Sequence, residues 1–131
     1  MFTTNGFDYI NVLDKAADAS WLRKEIINNN ISNYDTPGFK RQDIDFQSVL
    51  KREMGASKYE SLDKKVRGLN THLSDLSPEV YDDSAFFSYR LDKNNVDIDT
   101  EQVESASEEL RYELLTSAIN SEFQRIQAAI K

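Results

Sequence analysis

Apolar positions recur at helical spacing at both ends of this chain and lose that order between them. From about residue 8 to residue 32, neither proline nor glycine interrupts the run. Ile10, Leu13, Ala17 and Trp21 fall three or four residues apart, and Leu22, Ile26 or Ile27, and Ile31 continue a drifting stripe. Val12, Ala16 and Ala19 widen that face, while Lys15, Asp18, Arg23 and Lys24 mark the opposite side. A helix of this kind buries its stripe against another helix or a core. Asn28-Asn29-Asn30 weakens its far end, because short amides compete for backbone hydrogen bonds.

The other end predicts a longer helix. Asp99 fits an N-cap with Gln102 as its capping-box partner, and Ile98 and Val103 fall at the hydrophobic-staple positions. Glu101 and Glu104 complement the positive end of the helix dipole. From Thr100 to Lys131 there is no Gly and no Pro, a run of 32 residues and roughly 48 Å at about 1.5 Å each. Val103, Ala106, Leu110 and Leu114 make one seam. Leu115, Ile119, Phe123 (or Glu122), Ile126 and Ile130 make a second, displaced by one residue as in a coiled-coil stutter.

Between them, Pro37 forces the first helix to stop, and Thr36-Pro37-Gly38 reads as a turn. Asp43-Ile44-Asp45-Phe46 alternates, and Phe46, Val49 and Leu50 suggest a short helix ending near Gly55. Lys64, Lys65 and Arg67 beside Gly68 read as a polar loop. Val80, Phe86, Phe87, Tyr89 and Leu91 suggest one or two short strands, and Lys93-Asn94-Asn95 has turn chemistry. The expected fold is mainly α. Long N- and C-terminal helices pair as an extended coiled coil around a small irregular or short-strand middle, with segments 1–34, 35–98 and 99–131. An ordinary helical bundle is the alternative.

Composition narrows the chemistry. The chain has 131 residues, no cysteine and one histidine, so disulfides, thiolate nucleophiles and cysteine- or histidine-rich metal sites are excluded. Four scattered glycines form no phosphate-cradling motif. His72 with Asp75 has no nucleophile at a telling spacing and reads as a solvated surface pair. The carboxylates Asp43, Asp45, Asp97 and Asp99 read as caps and turns rather than a metal site. Asp92-Lys93-Asn94-Asn95-Val96-Asp97 begins like a calcium loop but puts valine at the fifth ligand position and lacks the glycine at the sixth. No catalytic residue, cofactor, metal or small-molecule substrate is expected. The net charge is −7, and residues 81–131 hold five basic against eleven acidic groups. That balance counts against nucleic acid as a partner.

No apolar run approaches the roughly 18 residues of a membrane span. Met1-Phe2-Thr3-Thr4-Asn5-Gly6 has neither the basic start nor the apolar stretch of a cleavable signal peptide. Export, if it occurs, is expected by a route that does not read one.

Asn30-Ile31-Ser32-Asn33-Tyr34-Asp35-Thr36-Pro37-Gly38-Phe39-Lys40 resembles the signature of the bacterial flagellar rod and hook proteins. That signature runs Asn-Ile-Ala-Asn, one or two variable positions, then Thr-Pro-Gly-Tyr-Lys, at the end of the first helix. Ser32 and Phe39 are mild departures. Lys40 to Phe46 is similar to the continuation found in the smallest proximal rod type of that family. Leu91-Asp92-Lys93-Asn94-Asn95-Val96-Asp97 resembles the family's Asp-Gly-Asn-Asn-Val-Asp segment, with Lys93 in place of glycine. Glu109-Leu110-Arg111-Tyr112 and the ending Phe123 to Ile130 resemble its C-terminus.

The resemblance implies a structural subunit of the flagellar basal body, exported through the flagellar type III apparatus. Its terminal helices would pack with other copies of itself and other rod proteins in a periplasmic rod. The MS-ring adaptor and the export apparatus would be its membrane-proximal neighbours. It also implies an assembly motif of Asn30, Ile31, Asn33, Thr36, Pro37, Gly38 and Phe39. Coiled-coil packing is expected of Leu13, Ala17, Ile27, Val103, Leu110, Leu114, Ile119, Phe123, Ile126 and Ile130. A purely internal turn is the alternative for the motif. A soluble coiled-coil adaptor or type III export chaperone is the alternative for the whole chain.

Overall fold

The structure is a computed structural model that describes residues 5–55, 60–83 and 91–130. Its frame is two long helices, α1 (Asn5–Ser32) and α4 (Ile98–Ile130). They run antiparallel and side by side: Asn30 hydrogen-bonds Glu101 at one end, and a Cβ on Gly6 would come within 3.5 Å of Ile126 at the other. Neither is long and apolar enough to cross a membrane. The expected pairing of terminal helices is thus present within a single chain.

The middle folds against a second side of α1. Strand β1 (Gln42–Ile44) pairs antiparallel with β2 (Val80–Asp82), with Asp43 opposite Tyr81. Helix α2 (Phe46–Met54) starts where Asp45 accepts from the Ser48 N–H at 3.0 Å. It stops at Gly55, whose φ of 75° favours glycine. Helix α3 (Leu62–Leu69) replaces the polar loop expected around Lys64, Lys65 and Arg67. Ser61 caps it, and its two buried apolar residues, Val66 and Leu69, turn inward while Lys64 and Arg67 stay exposed. A short 3₁₀ turn at Leu73–Leu76 buries Leu76. Asn70 ties this unit to α1, accepting from Asn11 at 2.8 Å and donating to the Asp8 carbonyl at 3.0 Å. Ala19, Ile26 and Ile44 form a small core, with Leu22 and Phe46 packed on it.

Of the expected strand residues, Val80 opens β2, whereas Leu91 sits exposed in a turn. Phe86, Phe87 and Tyr89 lie outside the described residues, as do residues 1–4.

Helix α4 begins two residues earlier than its sequence suggests. Its cap is Asp97, not Asp99: the Asp97 carboxylate accepts from the Asp99 N–H at 3.1 Å and from the Thr100 hydroxyl at 3.1 Å. Thr100 therefore takes the place assigned to Gln102, because a cap must sit where the chain leaves the irregular segment 93–97. The two seams of α4 also divide differently from a stutter. Residues turned toward α1 are Glu101, Ser105, Glu108, Tyr112, Leu115, Ile119, Glu122 and Ile126, all buried or half-buried at three- and four-residue steps. Val103, Leu110 and Leu114 lie on the opposite face, between 62% and 70% exposed. In its first half α4 therefore faces its partner with carboxylates and faces outward with aliphatic side chains.

Candidate functional site

The turn after α1 is a lock between two distant stretches of chain. Asn30, in the last helical turn, has no exposed surface. Its amide donates to the Gln42 carbonyl at 2.8 Å and accepts from the Gln42 N–H at 2.9 Å, so one side chain pairs with β1 as another strand would. Asn33 donates its side-chain amide to the Asn29 carbonyl at 2.8 Å, beside its own backbone N–H at 3.1 Å, and accepts from the Thr36 hydroxyl at 3.1 Å. The Thr36 N–H donates to the Asn33 carbonyl at 3.0 Å and closes the turn. Pro37 fixes φ next to it, and Gly38 takes a φ of 74°, which lets its N–H reach the Asp92 carbonyl at 2.6 Å.

The second half of the lock is Asn94, which is 1% exposed. Its amide nitrogen lies 2.8 to 3.0 Å from the carbonyls of Asn33, Tyr34 and Thr36, and its oxygen accepts from the Val96 N–H at 2.8 Å. Asn95 works beside it, accepting from the Arg41 N–H at 2.7 Å and donating to the Asp83 carbonyl at 2.7 Å. The two segments that resemble family signatures are thus one hydrogen-bonded unit. Lys93, the departure from the family glycine, has a φ of 61°, a left-handed conformation that glycine adopts without strain.

Below the lock lies a ladder of ion pairs. Arg23 of α1 reaches Asp43 at 2.9 Å, Glu104 at 2.9 Å and Glu108 at 2.8 Å. Ser20 donates to the other Glu108 oxygen at 2.7 Å. Arg41 reaches Glu101 at 2.5 Å and Asp43 at 3.3 Å, and it also pairs with Asp83. Burial works against the charge on both guanidiniums, but their carboxylate hydrogen bonds outweigh it and hold them protonated more firmly than usual. Burial also pushes the Asp43 carboxyl up. The Arg23 hydrogen bond and the Ile44 N–H pull it further down, so the net is below the usual carboxylate range.

The sequence-derived assembly residues fall into two sets. Asn30, Asn33, Thr36 and Gly38 are brought together in the lock, while Ile31 and Phe39 are half-buried beside it and Pro37 is exposed. Of the packing residues, Ala17 and Ile27 are buried, and Leu13, Ile119 and Ile126 are half-buried. Val103, Leu110, Leu114, Phe123 and Ile130 are exposed on the single subunit. Sequence reasoning missed the partners in the ladder: Arg23 read as a solvated face and Glu101 and Glu104 as dipole complements. The only local signal was the three- and four-residue spacing of Glu101, Glu104 and Glu108.

The carboxylates once weighed as metal ligands have structural employment: Asp43 in the ladder, Asp45 and Asp97 as caps, Asp99 in the first turn of α4. No group of three or more potential ligands is placed to hold a metal among the described residues. His72 is exposed, its ring nitrogen 4.0 Å from Asp75.

Comparison with known proteins points the same way. The family profile described as "Flagella basal body rod protein" matches residues 10–40, the span from α1 through the lock. Flagellar basal body rod protein FlgB of Borreliella burgdorferi is 33% identical, with 87% of this chain and 89% of that protein covered. FlgB of Bacillus subtilis is 29% identical, with 92% of each chain covered. FlgB of Escherichia coli is 32% identical over 76% of each. At 33% identity over 87% of this chain and 89% of the relative, the match to the Borreliella burgdorferi protein places the chain in the FlgB family of flagellar basal body rod proteins.

Proposed function

We propose that this chain is a structural subunit of the proximal rod, built into the periplasmic part of the basal body together with other copies of itself and other rod proteins. It helps to transmit torque for motility. The MS-ring adaptor and the export apparatus are its membrane-proximal neighbours, and it reaches them through the flagellar type III route. It performs no catalysis and takes no cofactor, nucleic acid or small-molecule substrate. One observation carries the reading: the lock fixes the terminal helices as a pair while leaving the aliphatic stripe of Val103, Leu110 and Leu114 outside. A subunit complete in itself buries such a stripe, whereas a building block keeps it for a neighbour. The absence of cysteine suits a chain that crosses between redox compartments. The reading of a soluble adaptor or export chaperone is not favoured, since the relatives named above are rod proteins.

Basal bodies isolated from a strain lacking the chain test this reading. They are expected to stop short of a rod, with swimming lost. Complete rods in such particles would contradict it.

A further inference from the structure

Aliphatic side chains do not choose the face that α4 turns toward α1. Leu115, Ile119 and Ile126 lie on the inward face, all half-buried. Val103, Leu110 and Leu114 lie on the outward face, with Ser107 among them. At 3.6 residues per turn the two sets stand nearly half a turn apart. Three aliphatic side chains on each side leave apolar burial little to choose between, since it scales with the area removed from water. Tyr112 adds a ring to the inward face, 5.5 Å from Trp21, but Trp21 itself is 49% exposed.

Charge separates the two faces. Glu101 and Glu108, each 1% exposed, stand on the inward face seven residues apart, the spacing of one core position in successive heptads. Glu101 accepts from Arg41 at 2.5 Å and from Asn30 at 3.3 Å. Glu108 accepts from Arg23 at 2.8 Å and Ser20 at 2.7 Å, and Arg111 lies 3.5 Å away. With α4 turned about its axis, both carboxylates would leave α1 and β1, and the arginines would keep Asp43 and Asp83 alone. Buried ion pairs add little net stability over apolar packing, but a polar group at a core position selects one arrangement over its competitors.

We propose that the Arg23–Arg41 cluster is an orientation selector: it decides which face of α4 meets α1 and keeps the Val103–Leu110–Leu114 seam from folding back onto α1. Without its carboxylates, the seam competes for α1 and α4 turns.

The cysteine-free sequence allows a direct test with single thiols as reporters in the full-length chain. Ser105→Cys marks the inward face, where Ser105 is half-buried, and Ser107→Cys marks the exposed seam. Each is placed in the parent chain and in a Glu101→Ala/Glu108→Ala background, in which Arg23 still has Asp43 and Glu104 and Arg41 still has Asp43 and Asp83. Thiol labelling is timed in dilute solution, with helix content followed by circular dichroism. In the parent chain the thiol at position 107 reacts faster. In the double variant the order is expected to reverse, with position 107 slowing and position 105 quickening by about tenfold each. A cluster that merely adds stability would quicken both or change neither, and either result would overturn the proposal. Should the double variant lose its helix content, Arg23→Met carries the same two reporters and the same expectation. Loss of helix content in both backgrounds would show that α4 has no second orientation, and would overturn the proposal as well.

Discussion

Asparagine side chains do in this protein what backbone usually does. Asn30 and Asn94 are both nearly without solvent exposure, and between them they serve the backbone of Gln42, Asn33, Tyr34, Thr36 and Val96. A primary amide offers a donor and an acceptor in one plane, and neither a carboxylate nor an aliphatic side chain can replace it there. Asn30→Ala is expected to strand the N–H and C=O of Gln42 and to cost about 2 kcal/mol of stability. The midpoint of urea unfolding measures that loss, and an unchanged midpoint would show that Asn30 is dispensable. The motif's asparagines and its Pro-Gly turn were legible in the sequence because turn chemistry is local. Their partner Asn94 was legible only as turn chemistry, since its receptors lie 58 to 61 residues away.

At the scale of elements, the unusual feature is a helix pair held at one end by charge. The Arg23 and Arg41 guanidiniums bridge α1, β1 and α4 through Asp43, Glu101, Glu104 and Glu108. Removing one partner from such a cluster leaves buried charge uncompensated, so the pairing depends on every member staying ionised. Asp43, and Asp45 at the cap of α2, both titrate below their ordinary value in the folded chain, Asp45 chiefly because it accepts hydrogen bonds from Ser48. Depressed carboxyls contribute stability above the unfolded value of about 3.9 and lose it as pH falls through the lower folded value. The thermal midpoint is therefore expected to fall as pH drops below about 4. A midpoint that rises over that range would refute the ladder's role.

The same elements explain which parts of the fold the sequence disclosed. The span of α1, the stop at Pro37, and α2 with its Gly55 terminus follow from spacing, breakers and caps that act within a few residues. Helix α3 was hidden because Lys64, Lys65 and Arg67 dominate its composition, while its burial rests on Val66 and Leu69 alone. The orientation of α4 was hidden for a different reason. Its most regular aliphatic seam points outward, and the carboxylates that point inward need Arg23, 81 and 85 residues away, to be affordable there.

For the whole molecule, the consequence is a subunit with two kinds of helix surface. One holds the chain together through the lock, the ladder and the half-buried Leu115, Ile119 and Ile126. The other, with Val103, Leu110 and Leu114, has no partner among the described residues and is suited to neighbours. The last turns of α4 belong to both: Ile126 lies against the start of α1 at Gly6, whereas Phe123 and Ile130 are exposed. Removing residues 119–131 takes away the far half of the helix pair and these two outward side chains, but leaves the lock and the ladder untouched. The central claim is that the paired terminal helices are what the rod is assembled from. It is tested most directly by swimming of a strain lacking the chain and supplied with either the full chain or the chain ending at residue 118. The full chain is expected to restore swimming and the shortened chain, at equal abundance, is not; swimming restored by the shortened chain would contradict the claim.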